Sequence, residues 1–215
     1  MSHAEQPSSA SDAPTAPKAR APKGAPRSSS RSRLADSVLG TRNLMTVAAI
    51  AVVGAIIVVP MTWLSMSFTL GTGNLLFLVA LMGIWVIPYA LPISVVPRPG
   101  ASVVAGFIIG VITMITTPVG PSGILGSVLG ALFVEIGYLI FLYRRMNERV
   151  LFLGCAVFGL LNGLLYIFGM FTGVSGTTKL LACIISIASS LVGGVIVMFI
   201  TRALHRAGVG IPPRR

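Results

Sequence analysis

Acidic side chains are scarce in this chain: five Asp and Glu stand against sixteen Lys and Arg in 215 residues. Between Asp36 and Glu148 there is only Glu135. Histidine occurs twice, as His3 and His205, and cysteine twice, as Cys155 and Cys183. Each shortage excludes a chemistry. No cluster of His, Cys and carboxylates offers metal-ligand spacing. The cysteines fall on different predicted helices among apolar neighbours, where thiols pack rather than form a disulfide. A serine nucleophile at Ser122, in Gly120-Pro-Ser-Gly, needs a histidine within hydrogen-bond reach. His205 lies beyond the last apolar run, about a bilayer thickness (~30 Å) away. Lys179 follows a glycine-containing stretch without the spacing of a P-loop, so the chain cannot hydrolyse ATP by itself. A single acid is too few for a proton relay. No enzyme activity and no cofactor are expected.

Charge of either sign is also rare: 10 % of residues, against roughly 25 % in an ordinary soluble domain. What fills the chain instead is apolar. Mean hydropathy is +0.91, and long runs of this kind read as membrane helices. The predicted fold class is all-α: a polytopic membrane protein built as a six-transmembrane-helix bundle. The spans are expected at about Leu44–Leu64, Leu75–Val96 (bent near Pro88 and Pro92), Ala101–Thr117, Gly123–Arg145, Val150–Met170 and Leu180–Thr201. The organisation expected is a disordered basic cytoplasmic tail over 1–40, a membrane domain over 41–206 and a short basic tail over 207–215. The first tail is Ser-, Ala- and Pro-rich with no apolar run, a composition that cannot bury a core and is not that of a signal peptide.

With both termini in the cytoplasm, every Lys and Arg except Lys179 falls on one side of the bilayer, as the positive-inside rule requires. The net charge of +11 is thereby assigned to membrane orientation and anionic lipid, not to nucleic acid. The stretch Ser65–Gly73 reads as a connector or a mobile lid between the first two spans.

The fourth span organises this reading. At 100° per residue Gly126, Gly130 and Gly137 share one side and Glu135 lies about half a turn away. The expectation is a helix that packs a neighbour on its glycine side and points Glu135 into a pocket on the other. Small and polar stripes recur on other spans: Ala48, Ala51 and Ala55 on the first; Ser102, Gly106, Gly110, Thr113 and Thr117 on the third; Cys155, Gly159, Asn162, Tyr166 and Gly169 on the fifth; Ser186, Ser190, Gly193 and Val197 on the sixth. Tight helix packing accounts for most of these. Asn162 and Tyr166, one turn apart, need polar partners in a dry interior, which either a ligand or a neighbouring helix supplies.

Two stretches carry a family resemblance: Val96-Pro-Arg98-Pro-Gly100-Ala at the turn into the third span, and Gly130-Ala-Leu-Phe-Val-Glu135 running on to Tyr143-Arg144-Arg145. With six short spans and an alanine-striped first helix, the chain from about Asn43 to Arg202 resembles the substrate-binding S component of an energy-coupling factor (ECF) transporter. Within that family it is most similar to the YkoE-like branch, linked to thiamine and its hydroxymethylpyrimidine precursor. The resemblance implies a bacterial cell-membrane protein that captures a vitamin outside. It further implies docking onto a membrane T subunit driven by two cytoplasmic ATPase subunits. It puts the T-subunit contact at Ala51 and Ala55, extended by Ala48, and a substrate-binding acid at Glu135. A carboxylate suits a thiazolium or an aminopyrimidine, and Tyr138, Tyr166, Trp63 and Trp85 are the rings able to stack on a flat ligand. The alternatives are a structural or assembly membrane protein, in which Glu135 is an interhelical strut, and a stand-alone ion-coupled carrier.

Overall fold

The computed structural model describes residues 40–71, 74–141, 143 and 147–209. The two expected tails lie outside these residues, apart from Gly40 and residues 207–209. Among the described residues every regular element is an α-helix: α1 Thr41–Gly71, α2 Leu75–Ala80, α3 Met82–Val95, α4 Ala101–Thr116, α5 Ser122–Leu139, α6 Glu148–Gly169 and α7 Gly176–Arg206. Five spans are long and apolar enough to cross a membrane, with α2 and α3 counted together as one. The apolar α4 is shorter, 16 residues or about 24 Å.

Most of these helices are hydrophobic all round, as expected where one side meets protein and the other lipid. Val52, Ile56, Phe107, Ile115, Leu125, Val192 and Phe199 point outward, while Val47, Val58, Val86, Ile93, Ile109 and Phe158 fill the centre. We call the end at which α1 begins the near end and the end at which it finishes the far end.

The boundaries differ from expectation in two places that bear on function. The stretch predicted as a connector from Ser65 is helical as far as Gly71, so α1 carries Ser65 and Met66 into the bundle as a rigid wall. Ser67 Oγ donates to the Trp63 carbonyl at 2.9 Å, which keeps its hydroxyl on the helix. The fourth predicted span ends as a helix at Leu139 rather than Arg145.

The second span is interrupted at Leu81, between α2 and α3. Asn74 caps α2 by accepting from Leu76 and Phe77 N–H. The freed backbone groups at the break are met from α7. Ser189 Oγ accepts from Gly83 N–H at 2.8 Å and donates to the Ala80 carbonyl at 2.5 Å. In lipid such groups must find partners inside the protein.

The alignment of α3 with α7 rests on missing side chains. A Cβ on Gly193 would run into the carbonyl oxygen of Gly83, and one on Gly83 into the backbone of Ser189. The stripes read from the sequence behave as packing faces: Ser102, Gly106, Gly110 and Thr113 of α4 and Ser186, Ser190, Gly193 and Val197 of α7 are all buried. Cys155 is buried, Cys183 half-buried, and both are free thiols.

The first-helix stripe is also a packing face within this chain. Ala51 is fully buried and Ala55 nearly so, at 3 %, and Gly54 between them abuts Pro88 and Ile109. They belong to the chain's own core rather than to a surface open to a partner; Ala48 is half-buried beside them. Gly193→Ala should therefore lower the melting temperature in detergent, by overpacking of about 1–3 kcal/mol. Gly169→Ala, where a Cβ meets open space, should leave it unchanged.

Candidate functional site

Glu135 is where the sequence placed the chemistry, and four donors among the described residues surround it. Its carboxylate accepts from Ser102 N–H at 3.0 Å, Val103 N–H at 3.3 Å, Gly100 N–H at 3.3 Å and the Tyr143 hydroxyl at 3.1 Å. The first three donors form the opening turn of α4. That helix starts at Gly100, in the left-handed region at φ +83°, and has no side-chain cap of its own. Glycine suits this backbone geometry because no Cβ opposes it.

Every amide of the turn can be accounted for. Ala101 N–H goes to the Arg98 carbonyl and Val104 N–H to the Gly100 carbonyl; the remainder go to Glu135. The carboxylate thus caps a helix N-terminus from another helix, where the backbone dipole favours negative charge. Burial, and then the neighbouring carboxylate, push the Tyr143 phenol up to about 12, so Tyr143 remains a proton donor at any physiological pH.

The cavity lies elsewhere. It occupies the far half of the bundle, with a volume of about 620 Å³. Val58, Thr62, Ser65 and Met66 line it from α1, and Met82, Trp85 and Tyr89 from α3. Thr113 closes it from α4, Ser122, Gly126, Ser127, Gly130 and Phe133 from α5, Phe158, Asn162 and Tyr166 from α6, and Met170 from just beyond the end of α6. Ser122 and Met170 are exposed at its rim.

Its existence depends on the glycines of α5. Gly126 meets nothing where a Cβ would stand, and Gly130 lies against the edges of Tyr89 and Phe158. Those two rings pack tilted, with centroids 6.1 Å apart. The glycine side of α5 therefore faces the cavity over its first half. Only Gly137 serves the close helix contact expected of all three, against Gly154 of α6.

Of the six side chains proposed from sequence as substrate contacts, Trp85, Asn162 and Tyr166 are brought together around this cavity. Three are not among its lining. Glu135 is turned to the start of α4, where three backbone amides, together with the Tyr143 hydroxyl, satisfy it. Tyr138 is buried, 3 % exposed, in the core beside Gly154. Trp63 is half-exposed on the outer face of α1.

The residues missed are Tyr89, Phe133, Phe158, Thr62, Thr113 and Ser127. Helical spacing held a signal for some of them. Tyr89 follows Trp85 by four residues, and Phe158, Asn162 and Tyr166 recur at four-residue steps along α6, so each set shares a face. Nothing in the sequence marks Thr62 or Phe133.

The profile of the family described as ABC-type cobalt transport system, permease component, matches residues 42–161. No curated protein matches. Among solved structures the chain is similar to one reported as the crystal structure of an S-component of ECF transporter, at 19 % identity and a TM-score of 0.71. That similarity covers 79 % of this chain and 87 % of the other; at such an identity it is one of fold. Glu135→Gln should lower stability by about 1–3 kcal/mol, since an amide cannot offer acceptors to all four donors. Tyr143→Phe should cost about 1 kcal/mol. Chemical or thermal denaturation in detergent checks both.

Proposed function

The chain belongs to the family of ABC-type cobalt transport system permease components, and from that premise we propose that it is the substrate-capture subunit of an ECF-type importer. It takes a vitamin or vitamin precursor of the thiamine or hydroxymethylpyrimidine type into the far-half cavity. A T subunit and two ATPase subunits then drive its delivery.

The observation that carries this reading is the cavity itself. About 620 Å³ suits a small organic molecule. Trp85, Tyr89, Phe133, Phe158 and Tyr166 supply flat apolar walls, and Asn162 and several hydroxyls supply orientation. A divalent metal ion, by contrast, wants nitrogen or oxygen ligands of the His or carboxylate kind. Among the described residues no group of three or more His, Cys, Asp and Glu could hold one. The cavity's own lining holds no His, Cys, Asp or Glu, which suits an organic cargo.

Trp85, Asn162 and Tyr166 are proposed to touch the substrate. The six helical passes orient with both termini in the cytoplasm by the distribution of Lys and Arg, so the far-half cavity opens outward. Docking to the T subunit falls to the outward face of α1 beside Ala48, where Val52 and Ile56 are exposed.

A thermal-shift screen of the detergent-purified protein against vitamins, their precursors and cobalt(II) tests the reading. One organic compound should raise the melting temperature by mass action. Trp85→Ala should weaken its binding about tenfold or more, while Trp63→Ala leaves it unchanged. A response to cobalt alone, or an equal loss in both variants, would refute the assignment.

A further inference from the structure

The cavity wall is uncharged: none of the side chains lining it is Asp, Glu, Lys, Arg or His. Glu135, the one acid within the described spans between α1 and α5, is committed to the first turn of α4. An ion entering this space would lose its water without gaining a counter-charge. Aromatic walls do attract cations, but by less than it costs to desolvate an unpaired ion.

Several hydroxyls of the lining have their protons already committed to backbone carbonyls. Thr62 donates its proton to the Val58 carbonyl, Thr113 to the Ile109 carbonyl and Ser122 to the Val119 carbonyl, each at 2.8 Å. A hydroxyl has one proton and two lone pairs, so each of these oxygens can offer the cavity only lone pairs. Asn162 gives an amide proton to the Phe158 carbonyl at 3.2 Å, and Tyr89 gives its own to Ser127 Oγ at 3.3 Å. Thr62, Thr113 and Ser122 thus present spare lone pairs to the cavity, beside the donors on Trp85, Tyr166, Ser127 and the second amide proton of Asn162.

Resting on the reading of this cavity as the substrate site, we propose that it selects an uncharged planar ring whose edge carries N–H or O–H donors and excludes permanently charged compounds, which narrows the proposed cargo to the uncharged hydroxymethylpyrimidine type and away from the thiazolium cation of thiamine itself. The aromatic side chains take the ring faces, and the hydroxyl oxygens on α1, α4 and α5 take the donors at its edge.

Calorimetry on the full-length protein in detergent tests this with matched probes. Pyrimidine, pyridine, purine and pteridine rings are each offered in three forms: neutral with an exocyclic amino group, the same ring N-methylated to a fixed cation, and the same ring with methyl in place of amino. The neutral amino form of at least one ring should bind, with its cation and its methyl analogue each about tenfold weaker or worse. Ser122→Asp, at the exposed rim, should narrow or reverse the preference for neutral over cation. A cation or methyl analogue that binds as tightly as the neutral amino form, and loses that binding in Trp85→Ala, overturns the selectivity while leaving the cavity as the site. Binding insensitive to Trp85→Ala, or none across the panel, overturns both.

Discussion

A helix that starts inside a membrane protein exposes amides that no water will meet, and α4 starts without a side chain of its own to meet them. The Glu135 carboxylate does so from α5, and the whole central arrangement follows from that contact. It holds the near end of α4 against α5. From there Gly106 lies on Ser127 and Ala131, and Gly110 on the backbone of Ile124. Once the two helices are paired this closely, Thr113 and Ser127 are carried to the same cavity from opposite sides. The acid is costly in an apolar bundle, and the start of a helix is a place where that cost is offset by amides already oriented toward it.

The cavity and the cap therefore divide α5 between them. Its far half is glycine-rich, leaving room bounded by Tyr89, Phe133 and Phe158. Its near half carries Val134, Glu135 and Tyr138 into the core and closes the bundle below. Ser189 does for the break at Leu81 what Glu135 does for α4: it meets backbone groups of one helix with a side chain from another. Both devices let helices begin or pause within the apolar region, and both stand beside the helices that wall the cavity. A binding site of this kind depends on such irregular places, since uninterrupted helices packed along their whole length leave no room between them.

Much of the architecture was legible in the linear chain. Helix positions followed from the apolar runs, and the faces of α4 and α7 followed from their small-residue stripes. Asn162 and Tyr166 stood out as polar groups one turn apart in an apolar helix, and both line the cavity. The connector expected over Ser65–Gly73 is helical as far as Gly71, its last two residues lying outside the described ones, and Ser67 returns its hydroxyl to the helix backbone. The alanine stripe of α1 is a close-packing surface, and in this structure its neighbours lie within the chain's own core. Small residues record that a backbone approaches, not whose backbone it is.

Hydropathy and residue spacing by themselves determined that the chain is a bundle of apolar helices and that Glu135 must be enclosed, since both are consequences of one solvent acting on each segment separately. What only the tertiary structure decided was the partner of each enclosed group. Glu135 could have met a ligand, a cation or a helix end, and the choice rests on where the turn before α4 lies in space. The cavity likewise arises where α1, α3, α4, α5 and α6 fail to fill a common volume, and no single segment carries a record of a space that five of them share.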